Sequence, residues 1–262
     1  MFKRKAKTAL ATTVEPAAPT TADIFPVSFI VIATKEDWDK NQQKFLSCLP
    51  HNAEINVVFN EHGEDDTLSD IAIKPIGTAT LRFRVWTYSG RFHFGRARQY
   101  SAEMATNDWV MWLDCDDRIN PMHHERIRQV TSWSDHGIGA VMCSCTSMHT
   151  PIPPNKDPEY HAVKQARIYK RSTGAEWEGR CHEQIFPSVQ RRGFTHAHST
   201  IAIEHTGYEG SLDGLLPRNR RNVDLLCHEI GELGLLARDG FTLTMLHRDI
   251  NSLHAMENAN GR

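Results

Sequence analysis

The chain has 262 residues, long enough for one large domain with a real core, and its 30 Lys plus Arg against 32 Asp plus Glu leave a formal net charge of −2. That balance excludes a global attraction to nucleic acid or anionic membrane, although local patches remain open. No apolar run approaches the roughly 18 residues a membrane helix needs, and the basic opening MFKRKAK runs into TALATTVEPAAPTTAD, too polar for a secretory core, so a soluble, cytoplasmic protein is expected.

Residues 1–24 are rich in Ala, Thr and Pro without periodicity and read as a disordered tail. PVSFIVIAT then reads as a buried strand, EDWDKNQQKFLSC as a helix and AEINVVFNE as a second strand, a βαβ start with a right-handed crossover. TLRFRVWTY is a further strand, FGRARQYSAEMAT a helix that packs through Ala97, Tyr100, Met104 and Ala105, and WVMWLD a central strand. After Pro121 come a helix around HHERIRQVTSW, a strand at IGAVMCSCTSM and a proline-rich link, TPIPPNKDPEY, that separates two halves. Beyond it lie strand-like pieces at AVKQARIYK, HEQIFPSV and HSTIAIEH, and a helix through PRNRRNVDLLCHEIGELGLL with Pro217 in its first turn. The division is a nucleotide-binding half at 25–150, a second half at 151–212 and a helical segment at 213–262. Strands alternating with helices imply an α/β sheet covered on both faces. The six cysteines form no CxxC pair, so neither a disulfide framework nor a zinc knuckle is expected.

The strand WVMWLD runs straight into Asp114, Asp116 and Asp117. In open α/β sheets ligands sit outside the carboxyl ends of strands, where these acids fall. Strand alternation puts Asp114 and Asp116 on one side, with Cys115 and Asp117 pointing elsewhere. Two carboxylates on one side suit a hard cation such as Mg²⁺ or Mn²⁺, which keeps open positions for phosphate. An acidic turn in which Asp117 or Asn120 caps the next helix explains one of the acids and leaves the others without a purpose.

The stretch GRARQYSAEMATNDWVMWLDCDDRI, together with PVSFIVIATKED, GRCHEQI and IEHTGY, resembles the family 2 glycosyltransferases of the GT-A fold, in order and over roughly residues 26 to 225. The resemblance implies a Rossmann-like, mixed and mostly parallel sheet flanked by helices, and makes Asp114, Cys115 and Asp116 the DxD motif. It implies that Asp116 binds the metal that holds a sugar-nucleotide diphosphate, with Asp114 facing the ribose or the metal shell. Arg98, at the family's ARN arginine, would contact the nucleotide or its phosphates, a task for a rigid guanidinium fork; Gln99 stands where the family has Asn. Thr34 and Glu36 would lie at the nucleotide pocket, and Glu61 or Asp65 would face base or ribose. Glu183 matches the base of the family's HE motif, which takes the acceptor's proton. His182, the other catalytic candidate, would point to the opposite strand face, so only one of the two shares the reaction centre unless the strand is bulged. His205, otherwise a hydrogen-bonded core histidine, matches a histidine that completes the metal shell.

Trp177 and Tyr208 are candidates for the acceptor side, whereas Trp112 belongs to the core. Arg218, Arg220 and Arg221 open the last helix and could grip phosphate, although a solvated helical face accounts for them equally. The expected function is metal-dependent, inverting transfer of a hexosyl or pentosyl group from a nucleoside diphosphate donor to a hydroxyl on a glycan, lipid-linked glycan, protein or modified DNA base. One alternative is a phosphatase-like hydrolase with Asp114 as nucleophile, but it expects a nearby Ser or Thr that DCDDRINPM does not supply. The other is a sugar- or nucleic-acid-binding module without turnover. The sequence leaves the oligomeric state open.

Overall fold

The computed structural model describes residues 24–133, 137–149, 157, 159–207, 212–233 and 240–259. Almost all of the tail assigned to residues 1–24, most of the proline-rich link and Tyr208 lie outside the described residues. The chain order is β1 (Val27–Ala33), α1 (Lys35–Ser47), β2 (Glu54–His62), β3 (Thr67–Ile76), β4 (Ala79–Tyr88), α2 (Phe94–Glu103), β5 (Trp109–Asp114), β6 (Asp117–Ile119), α3 (His124–Val130), β7 (Ile138–His149), β8 (Glu159–Lys170), α4 (Phe186–Arg191), β9 (Thr195–His205), α5 (Leu212–Leu233) and α6 (Gly240–Ala259). The strands form one sheet in the order β3-β4-β2-β1-β5-β8-β7-β9-β6.

The block β4-β2-β1-β5 is parallel, so the carboxyl ends of these strands share one edge. The second half is mostly antiparallel: β8 pairs against both β5 and β7, and β6 against β9. Because β7 and β8 are hydrogen-bonded neighbours, the proline-rich stretch between them joins adjacent strands of one sheet and does not divide the fold into separate cores.

The central strands are apolar on both faces because both faces are covered. Phe29 and Val31 of β1 and Met111 and Leu113 of β5 pack with Trp38 and Phe45 of α1 and Ile127 and Val130 of α3. On the opposite face Ile30, Val110 and Trp112 meet Ala102 of α2 and Val189 of α4. Each fully buried aliphatic or aromatic side chain of this kind contributes about 1.5–3 kcal/mol. At the amino end of the strands, away from the acids, buried Glu54 accepts from Ser28 Oγ at 2.9 Å, from Asn56 Nδ2 and Thr106 N at 3.0 Å each, and from Arg82. That network satisfies an otherwise costly buried charge and fastens β1, β2, β4 and the turn before β5 together.

Four elements differ from the sequence reading. β3 is an antiparallel edge strand paired with β4; its residues are exposed over almost its whole length, so no buried apolar face marks it in the sequence. HEQIFPSV forms no strand: Glu178 and Gln184 make an isolated bridge and the chain then turns into α4, with Pro187 in its first turn. Pro217 lies inside α5, a full turn beyond its start, so the helix begins earlier than the proline signal indicates. A three-residue strand, β6, begins at the last of the acids, Asp117, and it is Asn120 that caps the turn after it, accepting from Met122 N.

Candidate active site

The acids gather through an inter-strand register. β5 ends at Asp114, the chain turns at Cys115 and Asp116, and Asp117 begins β6 directly opposite His205 at the end of β9. Asp114, Asp116, Asp117 and His205 each place a ligand atom within 4.8 Å of the others. Strand alternation does not govern this cluster, because the strand stops at Asp114, and Asp117 turns inward with the rest.

Asp117 is the most deeply buried member, at 0% exposure. It accepts from Arg167 at 2.7 Å, from His205 Nδ1 at 2.8 Å and from the Asp114 backbone N–H at 2.9 Å. Burial alone would raise its pKa, but Arg167 and then His205 hold it down to about 2. Asp117 is therefore the anchor of the cluster and not a helix cap. Arg167 is absent from the sequence reading, although an arginine within the apolar strand ARIY demands a buried acid, and that demand is a usable signal. Asp117→Asn should lower the stability by about 3–5 kcal/mol, measured by denaturant unfolding, because Arg167 would remain buried without its counter-charge. A loss under about 1 kcal/mol would contradict the anchoring role.

Asp116 is in the opposite condition. Burial, aided by Asp114 and Asp117 and opposed by His205, pushes its pKa up to about 6. Its negative charge is under-compensated by the protein. His205, whose pKa burial would lower, is raised to about 9 by its bond to Asp117 and the nearby acids. With Nδ1 directed at Asp117, the imidazole turns Nε2 toward Gly207: a Cβ on Gly207 would lie 2.7 Å from Nε2 and 2.2 Å from Asp116 Oδ2. Only glycine permits this close approach of the backbone to the two side chains. Clustered carboxylate oxygens and an oriented imidazole fit a hard divalent cation well. Burial and the acids around it push the Cys115 thiol up.

Arg98 links this cluster to the HE segment. Its guanidinium, 1% exposed, donates to Asp114 Oδ1, to the Leu113 carbonyl at 2.8 Å and to Glu183 Oε1 at 3.1 Å. Burial opposes its charge, and Asp114 and Glu183 outweigh burial. All three of its nitrogens are engaged by protein groups, so it orients two acids from between them. Arg98 and Arg167 both stack on Trp112, with guanidinium carbons 4.8 and 3.7 Å from the ring centroid.

The HE segment is a tight turn held from three sides. The Phe94 and Gly95 N–H groups of α2 donate to the Arg180 and Gly179 carbonyls, at 2.9 and 3.2 Å. A Cβ on Gly95 would come within 2.7 Å of the Gly179 carbonyl, and Gly179 itself has φ +94°, so both glycines are required for this approach. From α5, Glu229 accepts from Arg180 N at 2.7 Å. From α6, Asp249 meets His182 Nε2 at 2.7 Å, and His182 is left-handed, with φ 53°. His182 thus faces the C-terminal helix, while Glu183 faces Arg98.

The remaining candidates are placed differently. Thr34 caps α1, accepting from Asp37 N at 3.1 Å and donating to the Asp37 carboxylate at 2.8 Å. Glu36, Glu61 and Asp65 are exposed around the same carboxyl edge, Glu61 within β2 and not after it. Trp177 is buried at 7% exposure, packs edge-on to Trp112 at 5.4 Å and donates to Tyr169 OH at 3.2 Å, so it is core and not a surface for an acceptor sugar. Among the described residues no helix is long and apolar enough to cross a membrane.

Residues 28–191 match the family model for glycosyl transferase family 2. The SPbeta prophage-derived glycosyltransferase SunS of Bacillus subtilis (strain 168) is 22% identical over 189 residues, covering 71% of this chain and 41% of that protein. Glycosyltransferase SunS of Bacillus phage SPbeta matches to the same extent, so the chain spans about two fifths of the length of the curated relatives it matches. Among solved structures, S. aureus TarS 1–349 in complex with UDP-GlcNAc aligns with a TM-score of 0.39 at 12% identity, covering 86% of this chain and 71% of that one.

Proposed function

The chain belongs to glycosyl transferase family 2, and from that premise we propose that it moves a hexosyl or pentosyl group from a nucleoside diphosphate donor to a hydroxyl acceptor, with Mn²⁺ or Mg²⁺ held by Asp114, Asp116 and His205. The observation that carries the reading is the pairing of two unlike acids through one arginine: Asp114 in the acid cluster and Glu183 at the HE turn, both bound to Arg98.

The division of labour follows from these surroundings. When bound, the cation supplies Lewis-acid stabilisation of the leaving diphosphate. Asp116 has the under-compensated charge that such an ion satisfies. Asp117 and Arg167 hold His205 so that its ring keeps one orientation. Glu183 is the base: its carboxylate takes the proton of the acceptor hydroxyl while the new bond to the anomeric carbon forms. Attack from the face opposite the leaving group inverts that carbon. The hydrolase alternative still lacks the nearby Ser or Thr it expects, which DCDDRINPM does not supply. A glycan, lipid-linked glycan, protein or modified DNA base all remain acceptors compatible with the site.

The test is nucleotide release from a panel of sugar nucleotides with Mn²⁺. Release that stops with chelator supports the proposal; equal release with chelator refutes the metal, and no release from any donor in the presence of candidate acceptors refutes the activity. Gly207→Ala gives a second, independent check. A Cβ against Asp116 and His205 should weaken Mn²⁺ binding by roughly tenfold or more, read by titration of the folded chain; wild-type affinity would remove Gly207 from the metal site.

A further inference from the structure

We propose that Asp249 of α6 is the positioning residue for the base: it holds His182 in a left-handed conformation and thereby keeps the next residue, Glu183, turned to Arg98. The proposal rests on the reading of Glu183 as the base. It gives the C-terminal helices, which lie beyond the matched family segment ending at residue 191, a part in the reaction.

The turn that carries the base is closed at its foot and drawn to one side at its tip. Glu178 and Gln184 close it through two backbone hydrogen bonds, of 2.9 and 2.8 Å. At the tip, three consecutive side chains face the C-terminal helices. Arg180 donates to Glu232 of α5 at 2.7 Å, Cys181 is buried with Leu225 and Leu226 of α5, and His182 reaches Asp249 of α6. Glu183 leaves the turn the other way and accepts from Arg98 at 3.1 Å. Between the two directions stands His182, the single non-glycine residue of positive φ among the described residues. Since φ and ψ are the only soft dihedrals of the backbone, the left-handed residue sets the direction in which the following side chain departs.

That conformation has a cost. A left-handed backbone crowds the Cβ of an L-residue against a carbonyl oxygen, and it persists only where the surroundings hold it. Asp249 is such a hold. The residue is buried and is itself fixed: Arg248, its neighbour on α6, donates to Oδ1 at 3.0 and 3.1 Å, which leaves Oδ2 to accept from His182 Nε2 at 2.7 Å. Burial would raise the pKa of Asp249, but His182 and then Arg248 outweigh burial and hold it below the ordinary carboxylate value. A fixed, ionised carboxylate makes the short, directional bond that keeps an imidazole in place. The requirement on Glu183 is equally strict, because a general base works only within hydrogen-bond reach of the proton it takes.

The test on the full chain combines the kinetics of nucleotide release with amide hydrogen exchange, a readout that needs no donor. Asp249→Ala should lower the turnover rate by roughly 10- to 100-fold with the donor KM within about twofold of wild type. Asp249→Asn keeps an oxygen for the ring and should recover part of the loss. His182→Ala should fall at least as far as Asp249→Ala, whereas His182→Gly, which takes the left-handed backbone freely, should fall less. In the His182→Gly chain a further Asp249→Ala should change the rate by less than about twofold, since the carboxylate has nothing left to hold. Exchange across residues 178–184 should quicken by roughly tenfold or more in Asp249→Ala, while α5 and the sheet exchange as in the wild type.

A loss that persists undiminished in the His182→Gly chain, or exchange that rises throughout α5 and α6, would reduce Asp249 to a contact of helix packing and overturn the positioning role. A wild-type rate with unchanged exchange in Asp249→Ala would overturn it as well. In each case the base reading stands if Glu183→Gln still loses its turnover. If Glu183→Gln keeps its rate, the base reading falls and the proposal with it. If the wild type transfers from no donor, the activity reading falls, and unchanged exchange across the turn in Asp249→Ala would separately refute the hold on His182.

Discussion

Asp116→Asn is expected to abolish metal-dependent donor binding while the chain stays folded. Asp116 is the member of the cluster that burial leaves with an under-compensated charge, its pKa raised to about 6. A group raised in the folded state contributes stability that is full below its unfolded value of 3.8 and is lost as the pH rises through about 6. At pH 7.5 the ionised carboxylate therefore costs stability, and the neutral amide should leave the melting temperature equal to or above that of the wild type. Donor affinity in the presence of Mn²⁺ should fall to the level seen with chelator. A lower melting temperature would place Asp116 with Asp117 among the anchors, and unchanged Mn²⁺-dependent affinity would remove it from the metal site.

The second large effect is expected at Glu183. Replacing it by Gln keeps the shape and lets the amide oxygen still accept from Arg98, so donor and metal should bind with little change. Transfer should nonetheless fall by roughly 10² or more, because an amide cannot accept the acceptor's proton. The loss belongs in the turnover rate and not in donor affinity, since Glu183 meets the proton only as the new bond forms. A near-normal rate would send the base assignment to another acid. His182 is the less suitable substitute, because its ring is engaged by Asp249 and faces α6.

The regions of the molecule that local pattern controls were legible in the sequence. β1, β2, β4, β5, β7, β8 and β9 follow from apolar runs or alternation, and α1, α2 and α3 from helical spacing. The edge strand β3 was not legible, because an exposed strand has no buried face to mark it. The candidate site was legible where one segment carries the chemistry, as in WLDCDD. It was not legible where the chemistry depends on register between distant strands. Local pattern around Asp117 does not point to Arg167, 50 positions away, and His205, 88 positions away, entered the sequence reading only through the family resemblance. Only the pairing of β6 with β9 and the inward turn of β8 bring them together.

The same limit explains two corrected readings. Trp177 stands between polar residues in AEWEG and looks like a surface ring, but the turn that follows folds it onto Trp112 and Tyr169. Arg98 resembles a free nucleotide contact in one dimension; in three, it is the buried bridge between Asp114 and Glu183. Its planar fork lets one side chain orient both, which a lysine could not do. The spacing of Asp114 and Glu183 is therefore set within the protein.

The central claim is that a divalent cation sits between this acid cluster and a donor diphosphate. Pulsed electron paramagnetic resonance of Mn²⁺ bound to the full chain, with a sugar nucleotide that the donor panel identifies, addresses it most directly. The account predicts a nitrogen coupling from the His205 ring, absent in His205→Ala, together with phosphorus coupling from the donor. A Mn²⁺ spectrum that shows neither coupling when the donor is bound would contradict it.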